Sequence, residues 1–272
     1  MPGTSSKIQI PEEMLEFYGK LKQVQDKYSG NCDVAVKEDW DAGRSGNNDC
    51  RMPLIRLYEP RFQSERLYQA CMEIAALVSE CRPEVKNDID RITGIPQNTL
   101  RGVIEAAVTG NLENFPENVD AHGLNMYILK FIVANTVKPF LRAFAQTVSE
   151  EVMTGSWGES FCPVCGNKPY IGRLAKEDGK RYLRCSLCDT EWGYKRLACH
   201  NCGNEDHNSL SFLLVEETPG YLIDVCEVCK SYLKIIDERI SFNRGLDMAD
   251  VQTIHLDLIA RQKGYSNDMT NA

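Results

Sequence analysis

Cys162-Pro-Val-Cys165, Cys185-Ser-Leu-Cys188, Cys199-His-Asn-Cys202 and Cys226-Glu-Val-Cys229 are four C-x-x-C turns within one short stretch, and how they pair decides the fold. Each such turn aims two sulfurs at one ion about 2.3 Å away, and two turns close a tetrahedral all-sulfur shell. The intervals between the turns are 19, 10 and 23 residues, so 162–188 and 199–229 repeat one unit of turn, spacer and turn. Each longer spacer suits a β-hairpin that brings the second turn back to the first, the layout of a zinc ribbon or rubredoxin-like module. Sequential pairing is therefore expected. Cys162, Cys165, Cys185 and Cys188 hold one metal ion and Cys199, Cys202, Cys226 and Cys229 a second, with an interleaved cross-brace as the alternative. Gly166 and Gly203 follow their pairs, where a residue without Cβ lets backbone N–H groups turn toward the thiolates. A tetrahedron of four sulfurs accepts zinc and iron alike, so the two cofactors are read as two ions per chain, zinc or iron.

Paired thiols bind metal only where they stay reduced. The N-terminus, Met1-Pro-Gly-Thr-Ser-Ser-Lys7, lacks the apolar core of a signal peptide, which predicts a cytoplasmic chain. A thioredoxin-like dithiol needs one C-x-x-C at a helix N-terminus after a strand, and none of the four has that context. The remaining cysteines, Cys32, Cys50, Cys71 and Cys81, stand singly and are expected to be dispensable for metal. His200, inside a ligand turn, reads as a solvent-facing filler, His207 and His255 as surface residues, and His122 as structural.

Outward from the turns, Ile171–Leu174, Arg181–Arg184, Ser211–Val215, Gly220–Val225 and Tyr232–Ile236 have strand character. A last helix is expected after Asn243, with Asp247 as cap, Val251, Ile254 and Leu258 on one face, and Gly264 as terminator. Before residue 155 the periodicity is helical. Pro11–Tyr28 carries Met14, Phe17, Tyr18, Leu21 and Val24, and Ser64–Cys81 carries a stripe of Leu67, Cys71, Ile74, Ala75 and Val78. Pro83–Ile92 and Gln97–Thr109 read as short helices, and Val119–Val152 as a long helical stretch divided at Pro139. Asn31–Pro60, rich in Gly, Asn and Asp, reads as a loop draped over the helices, with no strand alternation. The expected fold is α plus small β. An all-helical domain (1–155) precedes two tandem four-cysteine ribbons (156–196 and 197–243), and a C-terminal helix and tail (244–272) end the chain.

The chain of 272 residues has 43% hydrophobic residues and a net charge of −8. That composition excludes collagen-like and bulk-disordered classes. Leu124–Ala134, the most apolar run, is interrupted by Asn125 and Lys130, so no membrane span is expected. Between Ser156 and Ile240 there are 11 Lys and Arg against 13 Asp and Glu. Each Zn²⁺ with four thiolates adds about −2 more, which argues against a nucleic-acid partner despite the ribbons. Lys180-Arg181 and Lys195-Arg196 read as solvated hairpin edges. No P-loop, dinucleotide, nucleophile-elbow or H-E-x-x-H motif occurs, and the carboxylates are dispersed, so neither a catalytic set nor an enzyme is expected.

Phe161-Cys-Pro-Val-Cys-Gly166, Arg181-Tyr-Leu-Arg-Cys-Ser-Leu-Cys-Asp-Thr-Glu-Trp192, Cys199-His-Asn-Cys-Gly203 and Cys226-Glu-Val-Cys229 with Tyr232-Leu-Lys-Ile-Ile236 together resemble the formate dehydrogenase accessory proteins, the FdhE family. The resemblance covers most of residues 153–265. It implies a cytoplasmic, chaperone-like maturation factor that binds the catalytic subunit of a formate dehydrogenase. It also implies rubredoxin-like ribbons, which keep an iron redox or electron-transfer protein as the alternative. Partner binding is expected at the junction of helices and ribbons, with Trp157 and Trp192 as the nearby aromatic residues, although Trp192 reads first as packing against its own ribbon, because a small module needs every large apolar side chain.

Overall fold

The computed structural model describes residues 10–30, 32–36, 52–109, 123–149, 157–215, 218–241 and 246–267. Its helical half comprises α1 (Glu12–Tyr28), a one-turn α2 (Leu54–Leu57), α3 (Ser64–Cys81), α4 (Lys86–Thr93), α5 (Gln97–Val108) and α6 (Met126–Thr147). The stripe read on α3 is the one it buries: Leu67, Cys71, Ile74, Ala75 and Val78 all face the core. They meet Ile132, Val133 and Phe140 of α6 and Leu100 and Ile104 of α5 in one apolar cluster.

Pro139 does not divide α6 as expected; the helix runs through it. A proline has no N–H to give the carbonyl four residues back. Here that carbonyl, on Asn135, accepts from Nε2 of buried Gln25 on α1 at 3.3 Å, and the Asn135 side chain accepts from the same nitrogen at 3.0 Å. A neighbouring helix satisfies the group that the proline orphans. Of the expected loop 31–60, the described residues also hold a strand pair. β1 (Asp33–Val36) runs antiparallel to β2 (Tyr58–Arg61), a ribbon that the Gly/Asn/Asp-rich composition concealed.

From residue 157 on, six strands form one sheet: β3 (Pro169–Leu174), β4 (Arg181–Cys185), β5 (Glu191–Tyr194), β6 (Leu210–Leu214), β7 (Tyr221–Cys226) and β8 (Tyr232–Asp237). Their order is β5-β4-β3-β8-β7-β6. Each four-cysteine unit contributes an antiparallel triplet. The two join through a parallel pairing of β3 with β8, Ile171 opposite Lys234 and Leu174 opposite Asp237. Every residue of β8 is buried. Its alternation explains why: Leu233 and Ile235 face the helical core, while Tyr232 and Ile236 face a second cluster under α7 (Leu246–Gln252) and α8 (Ile254–Gln262). Lys234, on that second face and almost wholly buried, reaches Asp250 at 2.5 Å and Asp257 at 2.7 Å.

The last helix is thus two, broken at Thr253, and Asp247 lies in the first turn of α7 instead of capping it. The break turns Leu258 outward, off the face expected for it, and buries His255, which was expected at the surface. Gly264 ends α8 with a φ of 86°. No described helix is long and apolar enough to cross a membrane.

Candidate metal centres

The structure brings the eight paired cysteines into two groups of four. In the first, Cys162 lies 3.4 Å from Cys188 and Cys165 3.3 Å from Cys185, sulfur to sulfur. In the second, Cys199 lies 3.6 Å from Cys229 and Cys202 3.8 Å from Cys226. Within each group all four sulfurs lie within 4.8 Å of one another. Metal–sulfur bonds of about 2.3 Å place neighbouring corners of a tetrahedron roughly 3.8 Å apart, so both groups have the size of a four-sulfur shell. Such separations far exceed a disulfide bond of about 2.05 Å. The two clusters can each hold one metal ion. Among the described single cysteines, Cys32 and Cys71 are buried, Cys81 is half-buried, and none joins either cluster; Cys50 and His122 lie outside the described residues.

All four turns have the same backbone. The residue after the second cysteine takes positive φ each time: Gly166 at 79°, Asp189 at 58°, Gly203 at 71° and Lys230 at 55°. This left-handed residue lets the turn curl over its sulfurs. Backbone N–H groups accordingly donate to thiolates: Val164 to Cys162, Leu187 to Cys185 and Asn201 to Cys199, at 3.3–3.4 Å. Two residues beyond the second and fourth pairs stands a hydroxyl. Thr190 lies 3.1 Å from Cys188 and Ser231 3.0 Å from Cys229. The repeat is therefore C-x-x-C-x-[ST], a signal legible in the sequence that the ligand spacing alone did not use.

The two thiols beside the hydroxyls, Cys188 and Cys229, respond to these donors, while burial pushes the Cys185 and Cys199 thiols up. Desolvation on its own raises the pKa of Cys188, but hydrogen bonds from Cys162, Cys165, Cys185 and Thr190 hold it well below the usual thiol range. Cys229 is likewise pulled down to about 6, against desolvation, by the Ser231 hydroxyl and backbone. His200 corrects its expected role as a solvent-facing filler. It is buried, and desolvation, with Arg181 and Lys168 nearby, lowers its pKa to about 3, so it is a neutral packing residue. Arg181, expected on a solvated hairpin edge, is also buried. It pairs with Asp224 at 3.1 Å and donates to the Ala198 carbonyl at 2.8 Å, just before Cys199.

The first centre is built into the helical body. The backbone N–H groups of Leu54 and Ile55 donate to the carbonyls of Pro163 and Val164, between the first two ligands, at 2.8 and 2.9 Å. Asp189 presents its carboxylate to Arg142 and, at 3.3 Å, to Lys138, both on α6, and to Arg184 of β4 at 3.6 Å. Trp192 is fully buried in the shared core and donates to the Glu159 carbonyl at 2.9 Å. It packs into its own module, as the first reading of it expected, and offers no exposed anchor. Trp157 is half-buried against Phe161. Between α1, α6 and this module lies a groove of about 520 Å³, lined among others by Lys22, Asp26, Arg142, Gln146, Arg184 and Thr190.

Comparison with known proteins agrees with this architecture. Residues 161–196 match the family model described as FdhE, central domain. The chain is 32% identical over 186 residues to an FdhE homolog of Aquifex aeolicus, covering 67% of this chain and 61% of that protein. It is 27% identical over 210 residues to protein FdhE of Escherichia coli O127:H6, covering 73% of this chain and 63% of the relative. The chain thus spans about three-fifths of the length of these curated relatives. The crystal structure of the FdhE protein from Pseudomonas aeruginosa superposes with a TM-score of 0.62 at 21% identity, covering 96% of this chain and 92% of that one, and so shares the fold.

Proposed function

Because the chain belongs to the FdhE family, we propose that it is a cytoplasmic, non-catalytic maturation factor that binds the catalytic subunit of a formate dehydrogenase. The observation that carries this reading is the alignment with FdhE proteins over two thirds or more of this chain. In the proposal the eight paired cysteines hold two metal ions, zinc or iron, that stabilise the ribbons, and a reducing cytoplasm keeps the thiols free to do so. The division into a helical body (1–155), two ribbons (156–196 and 197–243) and a C-terminal part (244–272) belongs to the same reading. The groove where α1 and α6 meet the first ribbon is its docking surface, since clefts at the junction of separate elements suit ligands.

The test is co-purification of the full-length chain with a formate dehydrogenase catalytic subunit. Lys22 and Gln146 line the groove from exposed positions. The double variant Lys22→Glu/Gln146→Glu is expected to weaken capture tenfold or more while keeping its metal. Failure of the unaltered chain to capture the subunit rejects the function; normal capture by the variant rejects the groove.

A second reading, an iron redox protein, is favoured by the N–H and O–H groups aimed at the sulfurs, which tune the potential of iron–thiolate sites. A visible spectrum of anaerobically purified protein that bleaches reversibly on reduction would support it.

A further inference from the structure

The two groups of four cysteines share ligand spacing and turn geometry but not surroundings. In the first, all four cysteines are buried. They belong to the main hydrophobic cluster together with Val164, Leu187 and Trp192. Its first turn is pinned from outside by the N–H groups of Leu54 and Ile55, and the residue after its second turn, Asp189, is tied to α6 by Lys138 and Arg142. For a sulfur of this group to leave its ion, packed side chains of two domains must separate.

The second group stands in contrast. Cys199 and Cys226 are buried, but Cys229 is half-buried and Cys202 is exposed. Asn201 and Gly203, on either side of Cys202, are exposed as well, and a Cβ built on Gly203 would meet nothing within 4 Å. The opposite turn presents Val228, 64% exposed, to solvent. None of these cysteines belongs to either hydrophobic cluster. The inner half of the group is nonetheless fixed: Arg181 holds the Ala198 carbonyl, Tyr194 donates to the Cys199 carbonyl at 2.9 Å, and Ser266 donates to the Lys230 carbonyl at 2.8 Å. Three ligands are wholly or partly enclosed, and the fourth, Cys202, faces water.

We infer that the second centre is a ligand-exchange site, at which the thiol of another molecule takes the place of Cys202 on the ion. The inference rests on the metal-binding reading above. The step is balanced: the incoming thiol forms a metal–sulfur bond, the bond to Cys202 breaks, and the proton of the incoming thiol passes to Cys202. The charge and coordination number of the ion are unchanged, and no electron moves. Exchange at a four-coordinate ion proceeds by approach of the entering group, so access along one edge sets the rate. The first centre meets open space only where Cys188, 3% exposed, borders the groove beside α6, and it keeps its ion far longer. A cysteine side chain on a bound partner protein and a small free thiol share the chemistry required.

The full-length chain, loaded with Zn²⁺ and shown by native mass spectrometry to carry two ions, is mixed with glutathione and the chromogenic chelator 4-(2-pyridylazo)resorcinol. One equivalent of zinc is expected to leave at least tenfold faster than the other, at a rate proportional to glutathione concentration. When half the zinc has gone, N-ethylmaleimide labelling read by peptide mass spectrometry should fall on cysteines 199–229 and spare 162–188. Two ions leaving at one rate, a fast phase indifferent to glutathione, or labelling of 162–188 overturns the exchange site and leaves the metal reading intact. A chain that takes up no zinc or iron overturns both, so the two failures are distinguishable.

Discussion

Asp189 carries two demands at once, and substitutions separate them. Its backbone sits at a φ of 58°, and its carboxylate, 12% exposed, faces Lys138, Arg142 and Arg184. A single ion pair at about 4 Å is worth roughly 4 kcal/mol at an effective dielectric of about 20, before desolvation and the mutual repulsion of three cations are subtracted. Removing one partner of a buried pair costs about 3–5 kcal/mol. The cations keep some water, being 13–22% exposed, so the lower end applies. Asp189→Asn tolerates the left-handed conformation and loses only the charge, for an expected loss of about 3 kcal/mol. Asp189→Gly should match it to within about 1 kcal/mol, whereas Asp189→Ala adds roughly 1–2 kcal/mol for a Cβ at positive φ. Urea unfolding at fixed free zinc, followed by the fluorescence of the three tryptophans, Trp40, Trp157 and Trp192, measures the series. An Asn variant within about 1 kcal/mol of the parent refutes the carboxylate as the joint between ribbon and helices. An Ala variant equal to Asn refutes the backbone argument.

Lys234→Met strands Asp257, whose pKa desolvation already raises despite the lysine. A loss of about 3–5 kcal/mol at neutral pH is expected, shrinking toward acid as that carboxyl protonates, and parallel urea titrations at the two pH values check it. Cys162→Ser/Cys165→Ser should lose one of two ions by native mass spectrometry and destabilise β3–β5, and a double variant that keeps both ions rules out this pairing. The Arg239 side chain holds Asp237 below the usual carboxylate range, with desolvation opposing it. That contribution is complete above the unfolded pKa of about 3.9 and lost as pH falls through the folded value. Thermal melts of Arg239→Ala should therefore differ from the parent at neutral pH and converge with it in acid; a difference that persists in acid contradicts this.

The cysteine spacing made both centres legible because a ligand turn is local, with four residues setting two sulfurs and the spacer length setting the return. The helical stripe of α3 was legible for the same reason, since Leu67, Cys71, Ile74, Ala75 and Val78 report their common face by period alone. Long-range partners were not. Nothing near Pro139 announces that Gln25, 110 residues from Asn135, will cover the carbonyl the proline leaves open. Arg181 and Lys234 are residue types that belong at the surface and histidine is intermediate, so no local signal marked these two, or His200 and His255, as buried. Trp192 was ambiguous between anchor and core until the helical body was seen to cover it.

The parallel β3–β8 pairing changes what the two ions do. An isolated ribbon has too little core to fold without its metal. Here β3 begins just after the Cys162–Cys165 turn and β8 just after the Cys226–Cys229 turn, and the two strands run side by side in the same direction. Both centres therefore sit at the same end of one sheet and fix the starts of its two middle strands. The faces of that sheet are covered by separate apolar clusters, the helical body on one side and α7 and α8 on the other. Apolar burial holds the sheet together as a layer, while the metals set the register at which its triplets begin. With the layer supported from both faces, the second centre has no need to be enclosed, and its outer ligand can face solvent without loosening the strands behind it.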